Sequence, residues 1–132
     1  VILNVQSPVS RQAIGGATAY CAGRWALKGL TQALQGDTFR SGVIVQEVVL
    51  GEVTDSEYFK GDPASLKRFP LIACIIPRIT SAQAANAVVE ALHCGRNLYC
   101  YPLMLSLADS INFLCPSLIA CLTYAGGHSL CR

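Results

Sequence analysis

Two short runs of β-branched, apolar residues constrain the fold of this chain more than any other feature. The first run is VILNV at residues 1–5, and the second is GVIVQEVVL at residues 42–50. Runs of this length and composition predict strands that are buried on both faces, as in a parallel sheet. A loop that contains Gly15–Gly16 and a helix from about Thr18 to Gln35 separate the two runs. Strand, helix and strand in this order are typical of an α/β fold.

The sequence after the second run predicts another helix and another strand. The residues TSAQAANAVVEALHCG, at 80–95, form a helical pattern that Thr80 or Ser81 caps, with Gln83 at capping-box spacing and Gly95 as the terminator. NLYCYPLM then predicts a third strand, which its proline confines to an edge or an end. We therefore expect a mostly parallel sheet with flanking helices.

The first helix carries an apolar face, which we expect to lie in the core. Its residues are Trp25, Ala26, Leu27, Leu30 and Leu34.

Three strands are few for a sheet of this kind. Buried parallel strands need neighbours on both edges and cover on both faces. The chain also begins within a strand pattern and without an initiator methionine. We therefore expect a fragment whose N-terminal half is absent.

Charge and cysteine content bear on partners and compartment. The net charge is only +2 and the 10 basic residues are scattered, so we expect no nucleic-acid partner. The 7 cysteines are odd in number and none has metal-site spacing, so we expect no metal centre. Reduced, mostly buried thiols are the favoured interpretation, in an intracellular protein that is cytoplasmic or membrane-associated.

The C-terminal stretch is strongly apolar. Residues 103–127 carry a single charge, Asp109, and Ser110–Gly127 spans 18 residues without any. This length reaches the lower limit for a membrane-spanning helix, but the interior Pro116 and several polar residues argue against a span. We expect a helix that packs on the protein or lies on a membrane surface through residues 98–127. The predicted division is therefore an α/β unit at 1–97 and an apolar tail at 98–132.

Three polar residues have a spacing that suggests chemistry. Ser7 follows the first strand, Tyr20 comes thirteen residues later at the start of the helix, and Arg24 lies four residues further on. Residues four apart share a helix face, and a cation within a few ångströms lowers a tyrosine pKa of about 10 by about one to three units. Taken singly, each residue has a structural explanation. The ordered set is what favours a site.

This ordered set resembles the second half of a short-chain dehydrogenase/reductase, well over roughly the first 60 residues and in outline beyond. The resemblance implies a partial Rossmann-type fold and NAD- or NADP-dependent interconversion of an alcohol and a carbonyl. It implies that Ser7 binds the substrate oxygen, that Tyr20 transfers the hydroxyl proton, and that Arg24 takes the place of a lysine. It further implies cofactor contacts by Tyr20, Arg24, Gly51, Val53 and Thr54.

The sequence departs from the family pattern at several places. Arg24 replaces the lysine, Gly23 replaces the serine before it, Leu50 stands where proline is usual, and Thr54 comes one place early. No GxxxGxG motif occurs among the 132 residues, so the turn that seats a pyrophosphate is missing. The residue that selects NAD or NADP and the family's active-site asparagine are missing as well. Whether the chain is an active enzyme is therefore left open.

Residues 53–79 correspond to the family's substrate lid. Their apolar content predicts a lipophilic alcohol or carbonyl substrate, unless these side chains only pack the lid onto the domain. The apolar side chains are Tyr58, Phe59, Phe69, Leu71, Ile75 and Ile76.

Two functions are consistent with the sequence. One is the oxidoreductase that the resemblance implies, with a homo-oligomer because the helix after Tyr20 commonly joins subunits in the family. The other is a non-catalytic relative that acts as an interaction or membrane-surface protein.

Overall fold

The computed structural model describes residues 1–58, 60–61 and 69–124, except for the side chain of Leu71. The expectations for Phe59 and for the last residues of the tail lie outside these ranges. The three predicted strands are present: β1 (Ile2–Gln6), β2 (Val45–Leu50) and β3 (Leu98–Tyr101). They are parallel, in the order β1-β2-β3. The described residues also form five helices: α1 (Thr18–Asp37), α2 (Leu71–Ile75), α3 (Ser81–Cys94), α4 (Leu103–Leu114) and α5 (Pro116–Tyr124).

Helices cover both faces of the sheet. Side chains alternate between the two faces along a strand. On one face Asn4 Nδ2 donates a 2.9 Å hydrogen bond to Thr31 Oγ1 of α1. On the other face Gln46 Nε2 donates a 2.8 Å hydrogen bond to the Ala91 carbonyl of α3. The α/β prediction is confirmed, and the arrangement is that of a partial Rossmann-like fold.

Strand β2 begins later than predicted. It starts at Val45 rather than at Gly42, because Gly42 adopts a positive φ of 82° in the preceding turn. A positive φ is incompatible with an extended strand and is most easily adopted by glycine.

The predicted core face of α1 is correct only in part. Leu27 and Leu34 are half-buried, but Trp25 and Leu30 are 48% and 54% exposed, and Cys21 and Thr31 are the buried residues of this helix. Thr31 is buried because β1 turns Asn4 toward the helix and the Thr31 hydroxyl accepts its hydrogen bond. Trp25 is held by its indole N–H, which donates a 2.8 Å bond to the Val9 carbonyl.

Helix α3 has the predicted ends. Thr80 is the N-cap and forms the reciprocal capping box with Gln83, and Gly95 ends the helix in the left-handed conformation. A second acceptor adds to this cap, since Asp55 Oδ1 accepts 2.7 and 2.8 Å hydrogen bonds from the backbone N–H and the hydroxyl of Ser81. These hydrogen bonds lower the pKa of Asp55. They fix the loop after β2 to the start of α3.

The segment after β2 is more regular than predicted. It contains the short helix α2 and a parallel bridge between Val53 and Ile79. The bridge is closed by backbone hydrogen bonds from Ile79 to Glu52 and from Thr54 to Ile79, at 2.9 and 3.0 Å. The described part of the lid is therefore anchored at both ends of the segment.

The tail forms two helices rather than one. The chain leaves helical geometry at Cys115, the residue before Pro116, which proline disfavours in a helix. Helices α4 and α5 meet at an angle of 117°. In the described part of the chain no single helix meets the length and hydropathy requirements for crossing a membrane, and this bent pair meets them only together. Strand β3, the first element of the predicted tail, pairs with β2 in the same sheet.

The expectation of reduced, mostly buried cysteines holds only in part: five described cysteines are free thiols, but most of them are not buried. Cys74 is disulfide-bonded. Of the free thiols in the described residues only Cys21 is buried and Cys100 is half-buried, while the exposed ones are Cys94, Cys115 and Cys121. No cluster of metal-ligating side chains is found in these residues.

Candidate active site

A cavity of about 720 Å³ brings most of the predicted site residues together. Ser7 directly follows β1 and Gly51 directly follows β2. The carboxyl ends of parallel strands meet at one edge of the sheet, where α/β proteins commonly bind ligands. The lining includes Ser7, Tyr20, Arg24, Gly51 and Val53. Residues that are distant in sequence thus line one cavity.

Ser7 lies where the chain turns out of the sheet. It is the N-cap of a 3-10 turn at Pro8–Ser10, and its Oγ accepts a long, 3.5 Å hydrogen bond from the Val9 N–H. The Ser7 carbonyl is held more firmly, by the Ser10 hydroxyl at 2.8 Å. The backbone is therefore fixed, while the Ser7 hydroxyl keeps its proton for another acceptor. It is a suitable donor to an oxygen in the cavity.

Tyr20 and Arg24 are in contact, but not through the tyrosine hydroxyl. The Arg24 guanidinium carbon lies 5.1 Å from the centre of the Tyr20 ring, a cation–π distance. Arg24 Nη1 also donates a 3.1 Å hydrogen bond to the Val5 carbonyl of β1. The cation is thus held between strand and ring, and the aromatic ring is oriented by it.

Gly51 is required by a close approach of two chain segments. A Cβ at this position would lie 2.9 Å from Cδ of Pro102, too close for any side chain. Gly51 N–H also donates a 2.8 Å hydrogen bond to the Tyr101 carbonyl. The glycine therefore has a structural role next to the cavity in addition to lining it.

Thr54 differs from the other predicted cofactor residues. Its hydroxyl donates a 3.3 Å hydrogen bond to the Ile79 carbonyl, and it is outside the cavity lining. The structure thus brings together Ser7, Tyr20, Arg24, Gly51 and Val53 but not Thr54.

Apolar side chains form much of the remaining wall. The predicted lid contributes Tyr58, Phe69 and Ile76, while Ile75 is exposed and does not line the cavity. The tail adds Leu105 and Ile119 from α4 and α5. An apolar wall with a few polar groups is the usual lining of a small-molecule site.

A buried ion pair beside the cavity was not predicted from the sequence. Arg11 Nη2 lies 2.5 Å from Glu47 Oε2, and the two side chains are 13% and 4% exposed. Burial raises the pKa of Glu47, against the opposing effect of the Arg11 and Lys28 cations, and Asp109 raises it further. A signal was present in the sequence: Glu47 is the only charge within an otherwise uncharged strand, and buried charges are almost always paired.

Arg11 and two residues of α4 add a polar region to the cavity wall. Arg11, Asp109 and Asn112 all line it, and Asn112 Nδ2 donates a 3.2 Å hydrogen bond to the Arg11 carbonyl. In the described part of the chain Arg11 Nε and Asn112 Oδ1 are buried without a hydrogen-bond partner. A buried donor and a buried acceptor therefore remain unsatisfied next to the cavity, which is costly without a ligand or water.

Comparison with known families finds a similarity over the N-terminal part of the chain, which carries the predicted site residues. The family model of short chain dehydrogenases matches residues 1–64. Residues 1–64 are therefore similar to part of a short chain dehydrogenase. The match includes Ser7, Tyr20, Arg24 and the turn after β2, and helices α2 to α5 and strand β3 lie outside it. No curated protein and no solved structure matches the chain.

Short chain dehydrogenases usually bind NAD or NADP, and the described residues fit only part of such a dinucleotide. Tyr20, Arg24, Gly51 and Val53 offer a cation, a hydroxyl and backbone groups at one cavity wall. The pyrophosphate needs a glycine-rich turn at a helix N-terminus, and the 132 residues contain no GxxxGxG. Helix α1 begins after Ala17 without a side-chain cap, but its exposed neighbours Gly15 and Gly16 do not form that motif. We therefore derive no reaction step through the cofactor.

Proposed function

We propose that this chain provides the substrate-binding side of an NAD(P)(H)-dependent oxidoreductase, corresponding to the C-terminal half of a short chain dehydrogenase domain, which interconverts a lipophilic alcohol and its carbonyl. The observation that supports this most directly is the single cavity lined by both Ser7 and Tyr20 and by an apolar lid. Dinucleotide binding depends on a glycine-rich turn that this sequence does not supply.

In the proposed reaction Ser7 and Tyr20 act on the same substrate oxygen. The Ser7 hydroxyl donates a hydrogen bond to that oxygen, which polarises the carbonyl. The Tyr20 hydroxyl gives a proton to the oxygen in reduction and takes it back in oxidation. Arg24 orients the Tyr20 ring and adds positive charge beside it.

The polar region of the cavity supports a substrate with a second polar group. A hydroxyl both donates and accepts hydrogen bonds, and it would pair with the unsatisfied Arg11 Nε and Asn112 Oδ1. The apolar wall between these two polar parts of the cavity would exclude water from the apolar part of the substrate. We therefore propose a lipophilic alcohol or ketone that carries a further hydroxyl or carbonyl.

A non-catalytic relative is the second candidate function. Arg24 donates to the Val5 carbonyl and stacks on the Tyr20 ring, so its guanidinium is already engaged within the protein. Guanidinium also cannot give up a proton, which a relay through this position requires. In this alternative the cavity binds an apolar molecule without converting it, and the protein acts as an interaction or membrane-surface protein.

The first experiment measures the binding of NADH and NADPH to the purified chain by fluorescence, beside an Arg24→Lys variant. Micromolar binding by the native chain supports the oxidoreductase. An absence of binding by both forms would show that this chain does not take a dinucleotide by itself, which agrees with the missing glycine-rich turn, and the choice between the two candidates then depends on the substrate side.

A second measurement tests the substrate side separately. Fluorescent lipophilic ketones are titrated into the native chain and into Ser7→Ala and Tyr20→Phe variants. Loss of one good hydrogen bond is expected to weaken binding about tenfold. Ser41→Ala and Tyr99→Phe are the matched controls, since both residues lie outside the cavity lining. Equal affinity of all five proteins would contradict the proposed roles of Ser7 and Tyr20.

A further inference from the structure

Large apolar side chains of the tail are exposed at and near the junction of α4 and α5. Phe113 and Leu114, the last two residues of α4, are 86% and 80% exposed. Leu103 and Leu107 continue this surface along α4, and Leu118 and Leu122 continue it along α5; all four are exposed. We refer to these six side chains as the apolar elbow.

The exposed face of the elbow carries no charge. Asp109 is the only ionisable side chain within α4, and it lines the cavity. Helix α5 has no Asp, Glu, Lys or Arg. The outward polar residues are the neutral Ser106, Ser110 and Ser117. Contiguous exposed apolar surface without charge marks an interaction site.

We propose that the apolar elbow inserts into the surface of a neutral lipid bilayer. The pair α4–α5 meets the length and hydropathy criteria for membrane helices only together, with a 117° bend. A buried core helix also meets such criteria, but here the large side chains at the bend are exposed. This combination fits two short helices that lie in the interface with their apolar sides in the acyl region.

The shape of the elbow favours lipid over a protein partner. A standard protein–protein interface uses about 20–30 residues on each side and needs a complementary surface. The elbow offers six large side chains around a sharp bend, and the two most exposed lie next to each other at its tip. A fluid bilayer accepts a protrusion of this kind, since it needs no matching groove. Membrane binding in this form does not depend on the oxidoreductase proposal.

Flotation of the full chain with phosphatidylcholine vesicles tests the proposal. The double variant Phe113→Ser/Leu114→Ser is expected to lose binding by on the order of tenfold for each side chain removed. Phe39→Ser is the matched control, because Phe39 is 73% exposed but lies after α1, outside the elbow. Binding of the native chain should be insensitive to salt, since no charges take part.

Circular dichroism checks that both variants keep the helical content, which is expected because the altered side chains are exposed. As an independent measurement, Phe113→Trp should give a blue-shifted emission that brominated lipids quench, while the native Trp25 of α1 should not be quenched. The proposal is overturned if the native chain stays with the aqueous fraction, or if Phe39→Ser reduces binding as much as the double variant. It is also overturned if sedimentation velocity shows self-association through Phe113 and Leu114 in place of vesicle binding.

Discussion

Arg11 and Glu47 form an ion pair that links the loop after β1 to the middle of β2, with 2.5 Å between Arg11 Nη2 and Glu47 Oε2. The two residues are 36 positions apart in sequence. Arg11 also lines the cavity, so the pair connects the stability of the sheet to the shape of the candidate site.

Removing one member of this pair is expected to destabilise the fold. Arg11→Met leaves the Glu47 carboxylate buried without its cation, which typically costs about 3–5 kcal/mol in the free energy of unfolding. Urea denaturation of the native chain and the variant measures this loss. The double variant Arg11→Met/Glu47→Gln should be less destabilised than the sum of the two single variants. Strict additivity would show that the two side chains do not interact.

The pH dependence of stability has a defined sign at Glu47. Burial raises its pKa in the folded state, so the folded protein binds this proton at pH values where the unfolded chain has released it. The free energy of unfolding must therefore fall as pH rises from about 4.3, the usual Glu pKa, through the raised value. Urea denaturation between pH 4 and 8 should therefore show that the native chain loses stability relative to Glu47→Gln, which has no proton to release at this position. A native chain that gains stability relative to Glu47→Gln as pH rises would contradict the assignment.

Tyr99 is expected to titrate at higher pH than a free tyrosine side chain. Its hydroxyl donates a 2.6 Å hydrogen bond to Glu90 Oε2, and this bond, with burial and the Glu90 charge, raises the pKa of Tyr99 to about 12. Absorbance at the tyrosinate wavelength, followed against pH, should lose a step near pH 12 in Tyr99→Phe. In Glu90→Gln that step should move to lower pH. An unchanged titration curve in Glu90→Gln would show that the hydrogen bond does not control this group.

Cys100 is expected to be the least reactive of the half-buried and exposed thiols. Burial raises its pKa to about 11, with a further increase from Asp109, so at pH 8 only about one molecule in a thousand carries the thiolate, the reactive form. Iodoacetamide labelling at pH 8, read by mass spectrometry, should modify the exposed Cys94, Cys115 and Cys121 well before Cys100. Asp109→Asn should speed the labelling of Cys100. Labelling of Cys100 as fast as that of Cys115 would refute the prediction.

The sequence by itself determined the local elements of this protein. The strands β1 and β2 follow from β-branched runs, and both ends of α3 follow from Thr80, Gln83 and Gly95, because capping depends on residues within one turn of each other. The break in the tail is also local, since Pro116 acts on the residue before it. The spacing of Ser7, Tyr20 and Arg24 could also be recognised in the sequence, because the three residues lie within one short segment. All three line the cavity.

Only the tertiary structure decided the groups that meet across the fold. Apolar spacing placed Trp25 and Leu30 in the core, where the structure instead buries Thr31, whose hydroxyl accepts a hydrogen bond from Asn4 of β1. The partner of Glu47 and the inward position of Asp109 depend on strands and helices that are distant in sequence. A charged residue within an apolar run indicates that its side chain needs a partner of opposite charge or a solvated cavity. Which partner it finds depends on the packing of the whole sheet, which no local pattern encodes.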